Sequence, residues 1–244
     1  TKSNGNRFNH YFHSRFLVRI LSMLTFYLFS TSSSFSRPDT PCTCSSWTVI
    51  GTHGNTTNIT STSLSPNTCY WIRGILNINS SSQTVWDEMR FKMAEGSQIL
   101  VSTSLKITDS YIASCDGDMW QGIRTTASST LEVSENTAIE AAEFGIFLAN
   151  ETKFTCRDVE FINNYIGIAT GDPFDDNTTD ISINQFLDLT GCKFYTSTNL
   201  PDPYPGQFYY PSWPTTPYGV PFNQGFAGIY LSRTSGLMIG KNGA

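Results

Sequence analysis

Apolar residues recur along this chain in short groups of fixed design. A glycine-isoleucine pair follows an aromatic or apolar residue at Trp120-Gln121-Gly122-Ile123, Phe144-Gly145-Ile146, Ile166-Gly167-Ile168 and Phe226-Ala227-Gly228-Ile229, and the first three of these glycines stand 23 and 22 residues apart. An alternating apolar pair precedes each group: Leu105 and Ile107, Leu131 and Val133, Phe154 and Cys156, Leu187 and Leu189, with Leu237 and Ile239 as a further pair at the end. Alternation of period two places both side chains on one face of a strand. Between pair and glycine lies a third apolar spot, at Ile112, Ile139, Phe161 and Phe194. Each repeat therefore holds about three short strands separated by polar turns.

A unit this short cannot bury its own apolar face, so it must stack on its neighbours, adding roughly 4.8 Å per turn in a parallel arrangement. Helical solenoids are excluded, because their repeats are longer and carry a 3.6-residue period. The predicted fold is all-β: a right-handed parallel β-helix, a solenoid of three sheets around a dry interior. Glycine beside an inward isoleucine marks a place where the backbones of adjacent coils approach closely. The β-helix is expected over residues 85–244, incomplete at its C-terminal end. Residues 37–84, rich in Ser, Thr and Asn, are expected to form an N-terminal cap of short strands. Two insertions stretch the coil between Gly167 and Gly228: an acidic one at 171–180 and a proline-rich, aromatic one at 200–222.

Composition adds a setting. Only 14% of residues are charged, which suits a surface of turns and hydroxyl ladders better than one of salt-bridged helices. Residues 1–36 read as a signal peptide, with Arg7, Arg15 and Arg19 ahead of an apolar stretch and then small residues. The apolar stretch is too short to span a bilayer, so no membrane span is expected in the mature chain. Without that leader, 11 basic residues face 20 acidic ones, which argues against nucleic acid as a partner. The expected location is extracellular or at the cell surface. There the six cysteines, Cys42, Cys44, Cys69, Cys115, Cys156 and Cys192, are permitted to form disulfides, with the connectivity left open. Cys156 and Cys192 fall on the inward pattern and are expected to act as small hydrophobes.

The segments MAEGSQILV (93–101), LKIT (105–108) and MWQGI (119–123), with the later Gly-Ile repeats and Pro205-Gly206-Gln207, resemble secreted right-handed β-helix proteins of Bacteroidetes. The resemblance covers residues 85–244. It implies a fragment of a longer protein whose C-terminal sorting domain is not present here, and hence surface attachment. The architecture it implies is also that of pectate lyases and polygalacturonases, which raises a carbohydrate-active enzyme as an alternative.

Fold does not settle function, so the chemistry must be found in side chains. A lyase needs clustered carboxylates for calcium and an Arg or Lys base, and a hydrolase needs carboxylates around a cleft. Asp172, Asp175, Asp176 and Asp180 are the one carboxylate cluster, read as a solvated turn first and a calcium site second; no other cofactor is implied. Asp116 and Asp118 flank Gly117 in an expected tight turn. His53, in Gly51-Thr52-His53-Gly54, precedes the repeats and only superficially matches a hydrolase motif. Arg124, Arg157 and Arg233 each follow an apolar strand position and are expected to point to solvent. Asn163, Asn164 and Asn184 are expected to stack in turns between coils. Tyr204, Tyr209, Tyr210 and Trp213, set among seven prolines in the 200–222 insertion, are read first as rings that pack on the coil and second as candidate sugar-stacking rings. With no catalytic set apparent, the favoured function is a non-catalytic extracellular β-helix, adhesive or structural. Its alternative is a carbohydrate-active enzyme or glycan-binding module, and the expected partners are polysaccharide or cell-surface components.

Overall fold

The computed structural model describes residues 39–60, 64–170, 181–182, 186–187, 189–196, 200, 225, 227–231, 234–235 and 238–239. All belong to the compact unit Arg37–Ala244. Their strands stack in parallel into three sheets, as the repeat predicts. Sheet A holds seven: β1 (Thr48–Ile50), β3 (Cys69–Ile72), β6 (Arg90–Met93), β9 (Tyr111–Ser114), β12 (Ala138–Glu140), β15 (Glu160–Ile162) and β19 (Lys193–Tyr195). Sheet B holds seven more: β2 (Thr56–Ile59), β4 (Ile75–Ile78), β7 (Gln98–Val101), β10 (Trp120–Thr125), β13 (Ala142–Phe147), β16 (Ile166–Ala169) and β20 (Ala227–Tyr230). Sheet C is shorter, with β5 (Thr84–Asp87), β8 (Ser104–Thr108), β11 (Thr130–Ser134) and β14 (Lys153–Cys156). Two short pairs follow, β17 (Ile181–Ser182) with β21 (Thr234–Ser235) and β18 (Phe186–Leu187) with β22 (Met238–Ile239). The chain visits the sheets in the order A, B, C, giving four coils of three strands, β3–β5, β6–β8, β9–β11 and β12–β14, after a first coil of β1 and β2. Coiling begins at Thr48, so the short strands expected over 37–84 are the first rungs of sheets A and B.

Register turns the apolar repeat into columns. Ile123, Ile146, Ile168 and Ile229 are successive partners on sheet B, continuing upward from Leu76 and Ile99. On sheet A the column is Tyr70, Phe91, Ile112, Ile139, Phe161 and Phe194. On sheet C, Leu105, Leu131 and Phe154 form one column and Trp86, Ile107, Val133 and Cys156 another. Most of these side chains belong to one continuous core. Each fully buried aliphatic or aromatic side chain there contributes about 1.5–3 kcal/mol relative to exposure.

The glycines explain how two columns fit side by side. The Phe161 and Phe194 rings stack face to face at 4.8 Å and 7°. A Cβ on Gly145 would sit 2.9 Å from Phe161 Cδ1, and one on Gly167 would sit 2.5 Å from Phe194 Cδ1. The rings thus occupy the space that side chains at those positions would need. At Gly122 the backbone has φ +98° with a bulge in register, and a Cβ there would overlap the Phe144 carbonyl of the next coil.

Corners between sheets are closed by hydroxyls, as buried backbone groups require partners. Ser110 Oγ donates to Thr108 O at 2.7 Å and accepts from Met89 N at 3.1 Å, Thr137 Oγ1 donates to Ser134 O at 2.7 Å, and Ser97 Oγ donates to Ala94 O at 2.6 Å. Asn164 serves the same purpose, accepting from Ala142 N at 2.8 Å and donating to Ile139 O at 2.9 Å. A side-chain ladder does form, elsewhere: Asn77 Nδ2 donates to Asn58 Oδ1 at 2.8 Å and Ser102 Oγ to Asn77 Oδ1 at 2.7 Å. Cys156 is buried and Cys192 half-buried against the core, with their sulfurs 3.1 Å apart.

Candidate functional site

Among the described residues apolar columns occupy the interior, so polar side chains gather mostly on the outer faces. The outer face of sheet A is crossed by a segment of the chain. A single 3-10 turn, Pro41–Thr43, is started by Thr40 and by Pro41 at its first position, and it lies against β6 and β9. Two disulfides hold it there, Cys42 to Cys115 just beyond β9 and Cys44 to Cys69 at the start of β3. The strap thus bridges three consecutive rungs. Pro41 is buried, as are Tyr111 and Ala113 on the face it crosses.

Two outward columns run along this face. One is Val49, Trp71, Lys92, Ala113, Glu140, Ile162, Tyr195; the other is Cys69, Arg90, Tyr111, Ala138, Glu160, Lys193. Toward the C-terminal rungs the polar members engage one another. Glu140 accepts from Tyr111 Oη at 2.5 Å and from Asn163 Nδ2 at 3.4 Å. Glu160 accepts from Lys193 Nζ at 3.1 Å and Tyr195 Oη at 3.1 Å. Such carboxylates are held in place by their neighbours along the stack.

Toward the N-terminal rungs the arrangement opens. Lys92 Nζ is 2.7 Å from Asp116 Oδ1 and lies over two indoles, 4.9 Å from the Trp71 ring centre and 5.7 Å from that of Trp47. The Arg73 guanidinium stands 4.9 Å from the Trp71 ring centre. Beneath the strap is a polar groove of about 460 Å³ whose walls include Ser45, Ser46, Trp47, Asn67, Thr68 and Arg90. This falls within the roughly 300–1,000 Å³ of small-ligand sites. A second cleft, of about 230 Å³, lies where Gly167 and Gly228 face Phe161 and Phe194. It is smaller than that range and follows from the glycine column.

The predicted site residues divide into those the structure places and those it does not. Tyr204, Tyr209, Tyr210 and Trp213 lie outside the described residues, and so do Asp172, Asp175, Asp176 and Asp180, together with Arg233 and Asn184. Among the described residues no three metal-binding side chains converge. No helix among them is long and apolar enough to cross a membrane. His53 sits exposed in the turn between β1 and β2. Gly117 has φ +88° in the bend between Asp116 and Asp118, and Asp116 is engaged by Lys92. Arg157 is exposed, as expected. Arg124 departs from expectation. It does not extend into solvent but lies 5.4 Å from the Phe144 ring centre and 4.9 Å from that of Phe147, since both rings share the outer face of sheet B and attract a cation to their faces.

The Trp47, Trp71, Arg90 and Lys92 cluster was not among the sequence candidates. Its signal is present in β3 and β6, where Trp71, Arg90 and Lys92 take alternate positions opposite Tyr70, Ile72, Phe91 and Met93. Stacking these outward positions requires the register, which only the closed coil supplies.

Comparison with curated proteins and with solved structures gives no match. A family model described as a right handed beta helix region matches residues 49–201, which spans most of the two long sheets and all of sheet C. Parallel crossovers between strands of one sheet are right-handed in nearly all proteins, in keeping with that description. With three parallel sheets, a columnar core and a match covering more than half of its length, the chain belongs to the right-handed β-helix family.

Proposed function

We propose that this chain is an exported, non-catalytic β-helix that works as an adhesive or structural protein at the cell surface. The observation that carries this reading is the strap. Two disulfides, Cys42–Cys115 and Cys44–Cys69, tie it across sheet A, and structural disulfides form and persist in oxidising compartments outside the cytosol. The leader-like residues 1–36 and the resemblance to secreted Bacteroidetes proteins support the same location. The non-catalytic part rests on how four acidic side chains among the described residues are used: Glu132, Glu140, Glu160 and Asp116 each meet a cation, phenol or amide of a neighbouring rung or strand. Groups committed in this way cross-link the stack and are poorly placed to exchange protons with a substrate.

The test has two parts. Peptide mapping of protein recovered from outside the producing cell is expected to find the Cys42–Cys115 and Cys44–Cys69 links. Incubation with uronate-containing polysaccharides is expected to release neither unsaturated ends, read by ultraviolet absorbance, nor reducing ends. Turnover of either kind, lost on substitution of Glu140 or Glu160, would transfer the chain to the carbohydrate-active enzymes. A second reading, a glycan-binding module, is favoured by the indoles and cations at the N-terminal rungs of sheet A.

A further inference from the structure

We propose that the groove beneath the strap is a binding site for an anionic oligosaccharide, with Arg90 receiving a carboxylate or sulfate and Trp47 stacking on the adjoining sugar ring. The inference deepens the surface-protein reading and rests on it, since such a ligand would be met outside the cell.

Arg90 is the reason to expect an anion. Its side chain is half-exposed and lines the groove, and among the described residues it takes part in no ion pair and no side-chain hydrogen bond. Its neighbours in the outward column are Cys69, closed in a disulfide, and Tyr111, whose hydroxyl is given to Glu140. Two acids that meet residues around the groove are already engaged: Asp116 with Lys92, which lies over Trp47, and Glu88 with Asn67 Nδ2 at 2.8 Å. In a chain whose acidic residues outnumber its basic ones, Arg73, Arg90 and Lys92 gather on one patch with Arg90 uncommitted. A guanidinium offers a planar fork of donors that matches a carboxylate or sulfate two bonds at a time.

The rest of the wall specifies a sugar rather than another anion. Ser45, Ser46 and Thr68 bring hydroxyls, Asn67 keeps its amide oxygen available after donating to Glu88, and Trp47 brings an aromatic face. That mixture suits a ring with one apolar face and a rim of hydroxyls. Nucleic acid would demand a longer run of cations. Both walls are anchored, one in β3 and β6 and the other through Cys44–Cys69, so little loop entropy is lost when a ligand enters.

Calorimetry and tryptophan fluorescence on the full, disulfide-bonded chain test the proposal with three probes. These are a hyaluronan tetrasaccharide, carrying carboxylate only, a heparin tetrasaccharide, carrying sulfate as well, and neutral maltotetraose. At least one anionic probe is expected to bind at least about tenfold more tightly than maltotetraose. Binding of both assigns the anion to carboxylate, and binding of heparin alone assigns it to sulfate. Arg90→Met, which keeps the apolar stem, is expected to weaken that affinity by at least about tenfold. Trp47→Leu is expected to weaken it and abolish the fluorescence change. Lys106→Met, on sheet C, is expected to leave it unchanged. Because Arg90 has no side-chain partner to lose among the described residues, its variant should keep both disulfides and the parent melting temperature, which mapping and a thermal melt verify. The proposal is overturned if neither anionic probe binds, if maltotetraose binds as well as they do, or if Arg90→Met binds like the parent. In those cases the non-catalytic reading stands, since only turnover of polysaccharide removes it.

Discussion

The interior of the coil and the outer face of sheet A are made by the same strands, residue alternating with residue, yet they obey different rules. Inside, every rung repeats its neighbour. Isoleucine stacks on isoleucine through Ile123, Ile146, Ile168 and Ile229, and the usual change along a column is from one apolar shape to another, although Thr84 stands buried against Leu105 at the start of sheet C. Outside, adjacent rungs differ: Trp71, Lys92, Ala113 and Glu140 follow one another in a single column. Repetition builds the rod because each coil must bury the face of the next. Variation is permitted only where a side chain answers to solvent, to the strap or to a ligand, so function on this scaffold must be sought where the repeat breaks down.

If that division is right, the largest losses of stability should come from interior positions where the backbones of two coils touch. Gly122→Val would place a branched side chain at φ +98° against the Phe144 carbonyl. We expect a loss of more than about 4 kcal/mol, or failure to fold, by chemical denaturation or by yield of folded protein. Gly117→Ala makes the comparison sharp. Its φ of +88° is as strained, but nothing lies near the new methyl group, so only the backbone cost of about 1–2 kcal/mol is expected. Equal effects would mean that strain, and not coil-to-coil contact, dictates the glycines.

The strap comes next. In the chain-entropy account a cross-link stabilises more as its loop lengthens. Cys42–Cys115 closes a separation of 73 residues and Cys44–Cys69 one of 25, for which that account gives about 4.4 and about 3.5 kcal/mol. Replacing each pair by alanine and measuring unfolding in urea should reproduce that order. The shorter link should matter more for binding, since it forms part of the groove. A pair of variants with unchanged stability would show the strap to be an accessory that the rod does not need.

How much of this was legible beforehand follows the same division. The interior was readable because its signal is periodic: Leu105 and Ile107, Leu131 and Val133, and Phe154 and Cys156 announce a sheet before any coordinate is known, and register then pairs them rung on rung. The groove was not readable. Trp47, Asn67 and Arg90 are 20 and 23 residues apart in sequence, and they meet only because the coil returns to sheet A once per turn and the disulfides lay the strap across it. Disulfide connectivity is a fact of three-dimensional closure and could not be deduced from spacing. Arg124 failed for a related reason. Its outward direction was right, but the Phe144 and Phe147 rings it covers belong to the next coil.

The smallest effect is expected on sheet C, whose outer face no strap crosses among the described residues. There Lys106 and Glu132 are partners in register, with Nζ 3.0 Å from Oε1 and both side chains about a third exposed. The hydrogen bond to Glu132 and then its charge raise the Lys106 pKa above 10.5, with smaller help from Glu135 and Asp87 and opposition from desolvation. A raised lysine pKa means that the folded state holds the proton more tightly than the unfolded chain. The contribution is therefore complete below 10.5 and is lost as pH climbs through the folded value. Solvent screening limits it to about 0.2–1 kcal/mol. Urea unfolding of the parent and of Lys106→Met should differ by no more than that at about pH 8, and the difference should shrink as pH is raised toward about 11. A larger gap, or one that grows with pH, would show that the outer face of sheet C also holds the rod together, and the contrast with sheet A would fall.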